Sequence, residues 1–230
     1  MNDLRAARFP RRAIGLSAVG FAVACVLGVT IGPASISWSD AVVEVLDQIP
    51  GLDLDSGLGP AQSAIVAEIR LPRVVLGAMV GALLSLTGAA YQGAFRNPLA
   101  DPYLLGVAAG AGLGATLAIV NGLGDGGGFV DPVPLAAFLG ALGAVAISYA
   151  AGHLGGRATV SLVLAGVAVA SFLTAIQTYV LQANNEVIRE VYAWILGRLA
   201  TSGWSEVLLL LPYFLVTVVV VVRYRHALDV

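Results

Sequence analysis

The stretch IRLPRVVLGAMVGALLSLTGAAYQGAFRNPLADPYLLGV, Ile69 to Val107, decides the fold. Arg70 and Arg73 lead into an uncharged apolar run. That run ends at Arg96-Asn97-Pro98-Leu99-Ala100-Asp101-Pro102, and a second apolar run starts at once. The spacing predicts two membrane helices joined by a rigid polar elbow marked by two prolines. Irregular backbone at membrane depth is tolerated only where protein or water satisfies it, so an elbow of this kind is expected to have a role.

The rest of the chain agrees with a membrane class. It is 58% hydrophobic and 11% charged, with 28 glycines, whereas a soluble domain carries roughly a quarter charged residues. Six apolar segments stand out: Ala13–Ser35, Val74–Phe95, Tyr103–Val120, Val133–Gly152, Thr159–Gln182 and Val207–Val222. Each is near the ~20 residues a membrane-crossing helix needs, and none holds Asp, Glu, Lys, Arg or His. The expected fold is therefore an all-α polytopic bundle with six transmembrane helices, forming one domain over residues 1–230. Arg5, Arg8, Arg11 and Arg12 precede the first segment; its length favours a retained first helix over a signal peptide.

Arginine placement orients the bundle. Residues 1–12, 96–102, 152–158 and 223–230 hold eight arginines and three acids, and residues 36–73, 121–132 and 183–206 hold four arginines and eleven acids. The positive-inside rule puts the first set, and both chain ends, in the cytoplasm.

Chemistry is scarce. No lysine occurs, which excludes a Walker-type phosphate loop and a Schiff base. Cys25 is the single cysteine, and His153 and His226 stand apart, so no disulfide or metal cluster is expected. A net charge of −2 gives no sign of nucleic acid. Proton-driven carriers keep ionisable groups inside the membrane; their absence from the six segments points to energy supplied by a partner. A passive channel or secondary carrier, or a structural membrane protein, remains the competing class.

Small residues recur at helical spacing, as Gly77, Gly81, Ser85 and Gly88 on the second segment and Gly106, Gly110 and Gly114 on the third, which suits close helix packing. Outside the segments, Ser39 or Asp40 is expected to cap a short amphipathic helix over Ala41–Gln48, with loop from Pro50 to Pro60. Asn184–Arg198 reads as an interfacial helix, and Tyr192 and Trp194 suit that depth.

RLPR (Arg70–Arg73), RNPLADPYLLGV (Arg96–Val107), VSLVLAGVAVASF (Val160–Phe172) and VYAWILGRLATSGWSEVLLLLP (Val191–Pro212) together resemble the permease subunits of ABC importers for iron–siderophore complexes, haem and cobalamin. The resemblance covers nearly everything from Ile69 onward. It implies a homodimeric or paired permease in the bacterial cytoplasmic (inner) membrane, served by separate ABC ATPase subunits that use ATP and Mg and by an extracytoplasmic substrate-binding protein. No cofactor is implied for this chain, and lipid is its only other surround. Of the three cargoes, an iron–siderophore complex is the expected one.

The resemblance also assigns roles. Arg70 and Arg73 are implied to dock acidic residues of the binding protein; as an i, i+3 pair they would present two forks to carboxylates, though anchoring at the interface would place them equally well. Asn97, Leu99 and Thr159 are implied to line the cytoplasmic exit. Pro98, Asp101, Pro102 and Gly106 make the elbow, with Asp101 capping the third helix and Pro102 at its first position. Gly152–Thr159 is implied to be a second gate element. Ser171, Thr174, Gln177 and Thr178 are candidates to face the pathway. Because the family carries about ten helices and an ATPase-coupling segment after the sixth, these 230 residues are expected to be the N-terminal part of a longer permease lacking its C-terminal third. Alone they are not expected to support ATP-driven import.

Overall fold

A computed structural model describes residues 11–49, 51–52, 54–123, 131–154, 159–197 and 199–228. Among them every regular element is helical. The order is α1 (Arg11–Thr30), α2 (Trp38–Asp47), α3 (Pro60–Ala64), a π-helical turn (Ile65–Arg70), α4 (Leu71–Phe95), a 3-10 turn (Pro102–Leu105), α5 (Val107–Val120), α6 (Pro132–Leu154), α7 (Thr159–Ala183), α8 (Ile188–Ile195) and α9 (Trp204–Leu228).

Five helices are long and apolar enough to cross a membrane: Arg11–Thr30, Pro60–Phe95, Pro132–Leu154, Val160–Ala183 and Trp204–Arg225. The third expected segment is split. Its first residues form the 3-10 turn, Gly106 takes φ +73, and α5 keeps 14 residues, about 21 Å at 1.5 Å per residue against a hydrocarbon core of about 30 Å. The protein is an all-α integral membrane bundle; among the described residues five helices are candidate spans and α5 is a sixth, shorter apolar helix.

Two boundaries differ from the sequence reading. The second helix starts at Pro60, not Val74, and runs 36 residues without interruption. Pro60 follows the extended Gly59 at the first helical position, where proline's fixed φ is favourable and its missing N–H costs nothing. The charges Glu68, Arg70 and Arg73 hid this stretch from an apolar-run search. Helix α2 starts at Trp38, and Ser37 occupies the cap position without a side-chain cap bond. Ser39 instead donates to Asp40 Oδ1 at 3.0 Å, so neither expected residue caps the helix.

The described contacts group the chain into two compact units. One comprises residues up to Gly81 with Leu199–Leu215, and the other Ala82–Arg198 with Val216–Val230. In the first, Val29, Ala41 and Val66 form one apolar cluster and Leu76, Met79 and Val207 another. In the second, Ala115, Ala118, Ile119, Val133, Ala137, Leu181 and Val191 join α5, α6, α7 and α8.

Close approach explains several glycines of the second unit. A methyl at Gly110 would collide with the Gly140 carbonyl, one at Gly114 with the Ala136 carbonyl, and one at Gly166 with the Leu104 carbonyl. Backbones pack directly on backbones here, as small residues permit in lipid. Gly77 and Gly88 of α4 differ, since no atom lies within 4 Å of the position a methyl would take. Among the described residues the small face of α4 is thus not a contact at those positions.

Candidate functional site: the arginine turn and the elbow

The arginine turn lies in the first unit. Between α3 and α4 the helix widens to i→i+5 bonding, and Leu71 N donates to Val66 O. Pro72 explains the widening. In an α-helix its ring would collide with the carbonyl four residues back, Glu68 O; a wide turn relieves that clash. Pro72 also has no N–H for Ala67 O, the acceptor next in the i→i+5 series. Trp204 Nε1 donates to that carbonyl at 3.0 Å, so a residue 137 positions away completes the turn.

Arg70, the last residue of the wide turn, points inward. It is 6% exposed. Its Nη1 donates to Val29 O and Thr30 O, and its Nη2 to Ala34 O, all at 2.9 Å. Those carbonyls lie at and just beyond the C-terminus of α1, where backbone acceptors lack intrahelical donors and a cation is favoured by the helix dipole. Gly32 is part of the seat, because a methyl there would lie 2.7 Å from Arg70 Nη2. The expectation of two outward forks therefore fails at Arg70: three of its five N–H donors go to the carbonyls of Val29, Thr30 and Ala34. Arg73 is half-buried, and its Nε is buried without a hydrogen-bond partner. Both arginines line a cavity of about 270 Å³ with Gly28, Gly32, Pro33 and Ala34.

One buried acid sits nearby that the sequence reading passed over. Glu44 of α2 is 5% exposed and accepts from Ser56 Oγ and Ser63 Oγ, each at 2.5 Å. It ties α2, the following loop and α3 together. Its only sequence signal was an acidic residue on the apolar side of an amphipathic helix.

The elbow belongs to the second unit and is built almost wholly from local bonds. At the end of α4, Asn97 N donates to Gln92 O and Arg96 N to Gly93 O, a Schellman closure in which Arg96 takes the left-handed φ of +49 usually left to glycine. Asn97 Oδ1 accepts from Leu99 N at 2.9 Å, and Ala100 N donates to Asn97 O. Asp101 Oδ1 accepts from Tyr103 N at 2.7 Å, with Pro102 next to it. Asp101 thus caps the 3-10 turn rather than α5 itself, and Gly106 makes the left-handed link to α5. The turn leaves Leu99 84% and Tyr103 71% exposed. Asn97 is exposed, but its carbonyl oxygen builds the turn.

Of the α7 candidates, Ser171, Thr174 and Thr178 are exposed on one face of the helix. Ser171 Oγ donates to Val167 O and Thr178 Oγ1 to Thr174 O, as hydroxyls in apolar helices commonly do. Gln177 is different. It is half-buried, and its Nε2 donates to Thr116 Oγ1 at 3.0 Å, which in turn donates to Gly112 O. It joins α7 to α5 and does not stand free to line a pathway. Thr159 opens α7; of the expected gate element Gly152–Thr159, residues 155–158 lie outside the described residues. No group of three or more metal-ligating side chains occurs among the described residues.

The FecCD transport family model matches residues 20–230, and the chain belongs to that family. It is 37% identical to the ABC transporter permease protein YvrB of Bacillus subtilis, covering 99% of this chain and 64% of that protein. It is 36% identical to the cobalamin import system permease BtuC of Halobacterium salinarum, over 94% of this chain and 60% of that one. A solved structure of an inward-facing metal-chelate type ABC transporter superposes with a TM-score of 0.73 at 26% identity, covering 96% of this chain and 64% of its own. The chain thus spans about three-fifths of the length of these relatives.

Proposed function

We propose that the chain is the permease subunit of a binding-protein-dependent ABC importer that carries an iron–siderophore complex across the bacterial cytoplasmic membrane. The observation that carries this reading is the family match over residues 20–230. Relatives in Helicobacter pylori are described as iron chelatin permeases and one in Bacillus subtilis as an Fe(3+)-citrate permease, which supports a chelated cargo. A chelate hides its metal, so a path without protein metal ligands suits it. The energy comes from separate ATPase subunits using ATP and Mg, and this chain performs no chemistry of its own.

The cargo passes by alternating access beside a second permease copy or paralogue. Ser171, Thr174 and Thr178 line the path, and Leu99 and Thr159 belong to the cytoplasmic exit. The turn at Asn97 holds Leu99 out for that purpose. An extracytoplasmic binding protein docks at the arginine turn; Arg73 offers its fork first, and Arg70 joins only when it leaves α1. The arginine-rich loops, and so the N-terminus, face the cytoplasm.

A second reading, cobalamin import, is favoured by the coverage of the Halobacterium salinarum relative. Molybdate enters the comparison through a Haemophilus influenzae relative at 28% identity. The test is uptake in the native host, parent against gene deletion, with labelled ferric siderophores, cobalamin, haem and molybdate offered separately. Loss of ferric-siderophore uptake, restored by the gene, supports the first reading. Loss of cobalamin uptake alone moves the cargo to the second. Flux that persists without nucleotide would favour a channel or carrier, and no change in any uptake would overturn the importer reading.

A further inference from the structure

We propose that the cavity beside Arg73 seats the phosphate of an anionic membrane lipid, with Ile31 and Ile69 as walls for the start of its acyl chains. Three observations meet there. First, the positive charge is uncompensated. Arg73 Nε is buried without a hydrogen-bond partner, Arg70 gives its bonds only to neutral carbonyls, and no ion pair involves either among the described residues. Buried guanidinium donors are seldom left unpaired. The α1 carbonyls that would repel an anion are already capped by Arg70.

Second, there is room. The cavity is about 270 Å³, and its walls are kept low by Gly28, Gly32, Pro33 and Ala34. Third, the rim is apolar where a soluble partner would find polar surface: Ile31 is 72% exposed and Ile69 40% exposed, and both line the cavity. A cation flanked by exposed isoleucines suits an amphiphile better than a free ion. Arg73 also lies three residues inside Arg70, immediately before the uncharged run that begins at Val74 within the candidate span Pro60–Phe95, a place that suits the boundary between head groups and acyl chains.

The seat does not rest on the importer reading, and its test uses no transport assay. If a binding protein docks at the same place, its carboxylate must displace the lipid phosphate from Arg73, so the lipid would compete with docking.

The experiment is native mass spectrometry of the full chain purified in detergent and titrated with phosphatidylglycerol, phosphatidylcholine or inorganic phosphate. Preferential retention of one phosphatidylglycerol is expected, with a loss of roughly tenfold or more in Arg73→Gln, the scale of one charge-assisted bond. Inorganic phosphate at about 10 mM should leave the lipid in place. Equal retention by Arg73→Gln, equal retention of phosphatidylcholine, or release by inorganic phosphate would each overturn the proposal. Should Arg73→Gln not fold, Ile31→Ser tests the same seat, because Ile31 lies beyond α1 and is largely exposed. It should lower phosphatidylglycerol retention several-fold, and unchanged retention would refute the apolar wall.

Discussion

If Pro72 frees the Ala67 carbonyl and Trp204 fills it, the two residues must be energetically coupled. Trp204→Phe keeps the aromatic ring and removes the indole N–H. The lost bond, 3.0 Å long, is worth about 1 kcal/mol net, and an orphaned carbonyl adds up to about as much again. Ala67 is half-buried and Trp204 is 36% exposed, so water recovers part of the loss. The expected destabilisation is about 1–2 kcal/mol. Pro72→Ala restores a backbone N–H at the position that faces Ala67 O in the wide turn. In that background Trp204→Phe should cost about 1 kcal/mol less. The assay is reversible unfolding of the purified chain in mixed dodecylmaltoside–dodecylsulfate micelles, run as a double-mutant cycle. Additivity within about 0.5 kcal/mol, the usual result for independent sites, would refute the explanation of the wide turn.

Three further outcomes follow from the packing. Gly32→Ala should cost about 1–3 kcal/mol by pushing Arg70 off the α1 carbonyls, and the cost should vanish in an Arg70→Met background; both are read by the same unfolding assay. Gly110→Ala should cost about 2–3 kcal/mol because it forces α5 from α6, whereas Gly77→Ala, with open space around it, should be neutral or gain up to about 1 kcal/mol in helix propensity; equal effects at the two sites would contradict the packing. Arg96→Gly relieves a left-handed non-glycine residue and should stabilise the chain by about 1 kcal/mol, seen as a raised midpoint of unfolding.

The elbow was legible because its bonds are local. Asp101 bonds two residues on, Asn97 bonds two residues on, and Gly106 sits where the helix changes direction. Residue type and spacing carry that information by themselves. The apolar runs were legible for the same reason, since five of them have the length and composition of a span. Arg70, Gln177 and Glu44 were misread or missed because their partners are distant: Val29 lies 41 residues from Arg70, Thr116 lies 61 from Gln177, and Ser56 and Ser63 lie 12 and 19 from Glu44. A polar side chain in an apolar helix signals that it needs a partner, not whether that partner is a cargo, a second protein or a carbonyl of the same chain.

The arginine turn shows how one motif separates into two roles. In a straight α-helix Arg70 and Arg73 would lie about 60° apart around the axis, close enough on the surface to act as a pair. The wide turn ends at Arg70 and ordinary α-helix resumes at Leu71, so the two residues sit on either side of a change in helical pitch. Arg70 has the unsatisfied end of α1 within reach and takes it. Arg73 Nε stays unpaired among the described residues. The same proline that widens the turn therefore leaves one guanidinium bonded to the carbonyls at the end of α1 and the other with its Nε unpaired.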